Sequence, residues 1–230
     1  METKIKQIQA AVFIRNFNIS NDLERASLLT EINQHANIIF NGPPTQLPIP
    51  NNAPPEFPRF ILNSADGKFS CQIALSRVDI FYKIPDVHTE DFEQLLNTQK
   101  NNTENIFNFL VSKGVIVDRI GFIAAAEKIL TPGEGNSIDY LRNNFIREGR
   151  FGSPKELLFN YNHSGRSENF EMNNLISINA KENASIVLQT DVNTIAEGMS
   201  GNNFNLENFN EIVNYAIGET QIFMNNFPNI

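Results

Sequence analysis

The sequence predicts an α+β fold: a largely antiparallel sheet, or sheets, covered by long amphipathic helices. Three observations lead there. Asp66-Gly67 stands between two strand-like runs, the local chemistry of a β-hairpin. Two long segments, one from Thr89 and one at the C-terminal end, repeat apolar residues at helical spacing. The order of elements reads βαββα and then βαβββα, which predicts two related halves, 1–114 and 115–230, in one compact unit.

The hairpin spans Phe57 to Tyr82. Gly67 accepts the positive φ of a tight reversal. Beyond it Phe69, Cys71, Ile73 and Leu75 alternate with Ser70, Gln72 and Ala74, so one face is buried and the other wet. Val78, Ile80 and Tyr82 continue one residue out of step, which predicts a bulge or bend near Ser76-Arg77. Upstream, Lys4 to Phe17 reads as the first strand. Asn21 then offers an N-cap with Glu24 three residues on, and Leu23, Ala26, Leu29 and Ile32 follow at helical spacing to about Ala36. Asn41 to Pro58 is a proline-rich crossover that lacks ladder donors.

Downstream, Thr89 is the expected cap of a helix bearing Phe92, Leu95, Leu96, Gln99, Thr103, Ile106 and Leu110 on one face, stopped at Gly114. Val115 to Leu130 reads as a strand containing Gly121, and Ser137 to Arg147 as a short helix. Three strands follow, Glu156–Tyr161, Asn169–Ile178 and Ser185–Val192, with turns at Asn162-His163-Ser164-Gly165 and Lys181-Glu182-Asn183. Leu206, Phe209, Val213, Ala216, Ile217, Thr220, Phe223 and Phe227 trace the stripe of the final helix.

A chain of 230 residues buries a substantial core. Its net charge of −8 argues against coating nucleic acid by bulk electrostatics. The single cysteine, Cys71, excludes an intramolecular disulfide framework and falls on an apolar strand face, as a small buried hydrophobe. No apolar run approaches a bilayer span, and the N-terminal METKIKQIQAAVFIRNF lacks a signal peptide's continuous apolar core, so a cytoplasmic protein is expected.

Chemistry is sparse. His35, His88 and His163 each stand alone, without metal-ligand spacing. Gly133-Glu134-Gly135 lacks the residues that complete a phosphate loop, and Gly149 to Pro154 lacks a serine elbow. No catalytic residue, metal ligand or cofactor site is assigned. Arg142, Arg147, Arg150, Lys155 and Arg166, with Tyr140, Phe145 and Phe151 among them, form the one candidate anion-binding segment. No lysine or arginine follows Lys181, whereas Glu182, Asp191, Glu197, Glu207, Glu211 and Glu219 do, so the C-terminal face is acidic and suited to a basic partner.

Phe69 to Leu75, Ser76-Arg77-Val78-Asp79-Ile80-Phe81-Tyr82, Ile106-Phe107-Asn108-Phe109-Leu110 and Arg119-Ile120-Gly121-Phe122-Ile123 resemble a widespread bacterial family of conserved hypothetical proteins. Asp191 followed by a long Phe-bearing helix is similar too, while Ala124 and Ala125 depart from the pattern. The resemblance implies a fold and a bacterial or phage origin, and no activity. The expected function is therefore a non-enzymatic interaction protein that engages a protein partner, or another copy, through a sheet edge or an acidic helix face. The alternatives are a nucleic-acid or nucleotide contact through Arg142–Arg166 and an acidic, immunity- or antitoxin-like neutraliser of a basic partner. Three or more titratable groups converging in one deep cleft would instead mark an assembled enzyme site.

Overall fold

The computed structural model describes residues 2–17, 22–50, 52–86, 90–131, 133–146, 154–181, 183–195 and 203–228. The chain runs β1 (Glu2–Arg15), α1 (Asp22–His35), β2 (Thr45–Gln46), β3 (Phe60–Asn63), β4 (Phe69–Ile73), β5 (Arg77–Lys83), α2 (Phe92–Ser112), β6 (Ile116–Ile129), α3 (Ser137–Phe145), β7 (Glu156–Arg166), β8 (Glu171–Lys181), β9 (Ser185–Thr194) and α4 (Leu206–Asn226). The strands form a single antiparallel sheet in the order β2-β3-β4-β5-β1-β6-β9-β8-β7. The fold is α+β and dominated by its sheet.

The long central strands β1 and β6 face each other with Ile8, Ala10, Val12, Ile120, Phe122 and Ala124 buried on one side. Helices α2 and α4 cover that side. Their apolar stripes bury Leu95, Leu96, Ile106, Phe107, Phe109 and Leu110 from α2, and Phe209, Ile212, Val213, Ala216, Phe223 and Met224 from α4. Phe107 and Phe209 stack where the helices meet, ring centres 4.7 Å apart. On these helices Gln99 Nε2 donates to Ile80 O at 2.6 Å while Gln99 Oε1 is buried without a partner in the described chain, and Thr220 and Thr190 share a 3.0 Å hydrogen bond. Helix α2 is capped by Asp91, in a capping box with Gln94, whereas Thr89 lies outside the described residues. Asn21 lies outside them as well.

Two local expectations are corrected. The parity slip at Ser76-Arg77 is a chain reversal, not a bulge. Ile73 pairs with Val78, Ala74 N donates to Arg77 O at 2.8 Å, and Leu75-Ser76 form the tip of a second hairpin, β4–β5. A reversal with two tip residues shifts apolar parity just as one extra residue would. The proline-rich crossover supports it, because Pro55 O accepts from both Leu75 N (2.9 Å) and Ser76 N (3.2 Å). The expected Asp66-Gly67 hairpin joins β3 to β4, with Gly67 at φ 72° and Asp66 Oδ1 accepting from Ser64 Oγ and Lys68 N.

The second correction concerns Asn162-His163-Ser164-Gly165, which is strand rather than turn. β7 continues to Arg166, and the reversal falls at Ser167–Phe170, closed by Ser167 N to Phe170 O at 3.0 Å. Glu211 of α4 fastens that turn. Its carboxylate accepts from Ser167 Oγ at 2.5 Å, Asn169 N at 2.7 Å and Asn169 Nδ2 at 2.7 Å. Burial pushes the Glu211 carboxyl up, but these donors outweigh it and hold its pKa below the ordinary value of 4.5. The stability gained from the charged form is therefore fully present above the ordinary pKa and is lost as pH falls through the lower, folded one. Urea melts of wild type and Glu211→Gln are expected to show a stability gap that is constant near neutral pH and narrows below about pH 4.5.

Candidate functional site

The sheet ends on β7, and here the helix layer leaves a cleft of about 690 Å³. Strand alternation supplies its floor. Phe159, Tyr161 and His163 of β7 pair with Ile178, Ile176 and Asn174 of β8, so all six side chains share the helix-covered face. Helical periodicity supplies the wall, since Glu219, Ile222 and Phe223 recur along one side of α4, with Tyr215 one turn before Glu219. Phe145, the last residue of α3, closes one end and lies 5.9 Å from both the Phe159 and Phe227 rings. Tyr161 and Ile222 are 60% and 58% exposed, so apolar surface at the mouth is open to solvent.

A polar cluster sits at the other end. Asn174 Nδ2 lies 2.9 Å from Tyr215 Oη, 3.2 Å from His163 Nε2 and 3.3 Å from Glu219 Oε2. An amide has two protons, so it serves two of these three acceptors at once. His163 Nε2 is also 4.0 Å from Glu219 Oε2, and Tyr161 stacks on the His163 ring at 5.1 Å. His163 Nδ1 and Asn174 Oδ1 are buried without a partner in the described chain. Such atoms cost about 1–3 kcal/mol each until something satisfies them. Gly165 makes the cluster possible, because a Cβ there would lie 1.9 Å from Tyr215 Oη.

The ten lining residues include one carboxylate and one histidine but no lysine, arginine, serine, threonine or cysteine. The cleft therefore offers an apolar bed ending on hydrogen-bond acceptors. Compared with models of known protein families and with the curated proteins, the chain matches none.

Of the described members of the arginine segment, Lys155 and Arg166 stand apart. Arg142 pairs with Asp139 on its own helix at 3.1 Å. Lys155 is exposed just before β7, and Arg166 is exposed at the far end of that 11-residue strand, roughly 33 Å away. Arg147 and Arg150 lie outside the described residues. Of the histidines, His35 packs on Phe109 at 4.9 Å, His88 lies outside the described residues, and His163 lines the cleft. Cys71 is fully buried, and burial pushes its thiol pKa up, away from reactivity. Among the described residues no group of three His, Cys, Asp or Glu stands close enough to hold a metal, and no helix is long and apolar enough to cross a membrane.

Residues of the resemblance motifs converge elsewhere, on the half-buried face of the sheet. Phe13 pairs with Arg77 on one side and Arg119 on the other, and both guanidiniums lie within 4.9 Å of its ring centre. Arg77 bridges to Asp79 at 2.7 Å, Arg119 donates to Asn193 Oδ1 at 2.5 Å, and Asn193 donates to Asp191 at 2.9 Å. Burial lowers the Arg119 pKa, Asp191 opposes the shift and Arg77 adds to it. Only Arg119 Nε is buried there without a partner in the described chain. This row is a nearly closed network. The cleft, by contrast, keeps both exposed apolar surface and unpartnered polar atoms, His163 Nδ1 and Asn174 Oδ1.

Proposed function

We propose that the chain is a non-enzymatic interaction protein of the cytoplasm whose β7–α4 cleft takes an apolar or aromatic side chain of a basic partner protein. An adjoining amine or amide donor of that partner meets Glu219 and His163. The observation that carries this is an apolar cleft ending on an acceptor cluster, with no lysine or arginine among its lining residues. The chain's net charge of −8 supports a basic partner, and on this reading the neutraliser alternative uses the same contact. A nucleic-acid contact has less support, since Arg142 is paired with Asp139 and Arg166 stands far from Lys155. An enzymatic reading would draw on His163, Glu219 and Tyr215, three titratable groups that meet around Asn174 as an acid–base set would. The open apolar mouth and the absence of a serine, threonine or cysteine nucleophile among the lining residues favour binding.

The proposal takes the sheet as two related halves. In support, β1 and β6 lie side by side at its centre, β1 leading outward through β5, β4, β3 and β2 and β6 through β9, β8 and β7, and each half closes on a 21-residue helix that opens with a capping box.

The cleft reading is tested with Nile red, a neutral apolar fluorophore. Wild type is expected to enhance its emission, and Ile222→Asp, a change at an exposed residue, to reduce the enhancement about tenfold by placing a charge in the apolar mouth. Equal enhancement by the two proteins would contradict the reading.

A further inference from the structure

The two edges of the sheet differ. One is β2, a two-residue strand within the proline-rich crossover, too short to template another strand. The other is β7, which is 11 residues long, contains no proline and pairs with β8 in unbroken register from Glu156 to Arg166. Nothing blunts it. No lysine lies on it, no bulge bends it, and Leu158 and Tyr161 are 58% and 60% exposed.

The sequence of this edge, Glu-Leu-Leu-Phe-Asn-Tyr-Asn-His-Ser-Gly-Arg, carries its one carboxylate at its start and its one arginine at its end. We infer that β7 pairs antiparallel with β7 of a second copy, centred on Tyr161, so that two sheets join into one. This register uses the whole strand. It sets Glu156 opposite Arg166 of the second copy at both ends, Asn160 opposite Asn162, and Phe159 opposite His163. Tyr161 meets its own mate on the twofold axis. Opposite charges and aromatic pairs directly across a ladder are favourable, and like charges are not. An antiparallel strand pair has its twofold axis perpendicular to the sheet, so both helix layers lie on one side and the two clefts meet across the Tyr161 pair. The inference rests on the edge and its charges, independently of what the cleft binds.

Cross-linking reads the register. Across an antiparallel ladder Tyr161 and its mate have Cα atoms about 4.5–5.5 Å apart, within disulfide reach. Leu158 and its mate are roughly 20 Å apart. Native Cys71 is fully buried and gives little background. Oxidised Tyr161→Cys is expected to run as a covalent dimer and Leu158→Cys as a monomer. Light scattering reads the charges: Glu156→Arg alone and Arg166→Glu alone each replace two attractive pairs by two repulsive ones and are expected to dimerise about tenfold more weakly. An equimolar mixture of the two restores attraction at both ends and is expected to recover the dimer, which damage to folding would not do. A wild-type monomer at all concentrations, a dimer in which both cysteine variants cross-link equally, or a mixture no better than its components would overturn the inference.

Discussion

Phe209→Ala is expected to cost roughly 3–5 kcal/mol and to be the most damaging single truncation considered. The Phe209 side chain is fully buried and stacks on Phe107, so truncation empties the seam between the two helices that cover the centre of the sheet. The loss combines the lost transfer of an aromatic ring with a void that helices anchored at other points cannot close. α4 is held by Lys128 Nζ donating to Phe227 O at 2.7 Å and by Lys100 Nζ donating to Asn214 Oδ1 at 2.9 Å, which limits relaxation into the gap. Set against a typical total of about 5–15 kcal/mol, such a loss leaves a marginal fold. Calorimetry is expected to show a melting temperature lower by on the order of 10 °C. Phe57→Ala, at a residue 49% exposed, is expected to change it little. A Phe209→Ala protein that melts with wild type would mean that α2 and α4 do not pack through this pair.

Gly165→Ala is expected to cost about 1–3 kcal/mol although it adds one methyl group to a half-buried strand. The new Cβ would stand 1.9 Å from Tyr215 Oη, 3.1 Å from its Cζ and 2.8 Å from Asn174 Nδ2. Tyr215 must swing away and surrender its 2.9 Å hydrogen bond with Asn174, which disorganises the acceptor end of the cleft. The mechanism predicts coupling. In a Tyr215→Phe background the shortest clash and the hydrogen bond are both gone, so adding Gly165→Ala is expected to cost clearly less than it does in wild type. Additive effects in urea denaturation would refute the clash.

Much of the architecture is legible because periodicity reports burial directly. The α2 and α4 stripes, the long strand around Gly121 and the Asp66-Gly67 hairpin all follow from spacing and turn chemistry. The β4–β5 reversal is not legible because Leu75-Ser76 carries none of the usual turn residues, and its acceptor, Pro55 O, comes from a distant crossover. Gly165 misleads for the opposite reason. It resembles turn chemistry beside Asn162 and Ser164, yet it is small because Tyr215 crosses the strand there. The site itself is hidden by topology. His163, Asn174, Tyr215 and Glu219 come from β7, β8 and α4, and Asn174 is 41 and 45 residues from its two α4 partners. The one local signal is the pair Tyr215 and Glu219, one helical turn apart beside the apolar stripe of α4.

The central claim, an apolar cleft with an acceptor end that takes a basic, apolar partner segment, is tested most directly by nuclear magnetic resonance. A blocked tetrapeptide of two phenylalanines flanked by lysines would be titrated into the isotopically labelled protein, alongside its glutamate-flanked counterpart. The account predicts saturable shifts of the β7, β8 and α4 amides around Tyr161, Asn174 and Glu219, with weak or absent shifts for the acidic peptide. Shifts centred instead on the Arg77–Phe13–Arg119 row, or equal responses to both peptides, would contradict it.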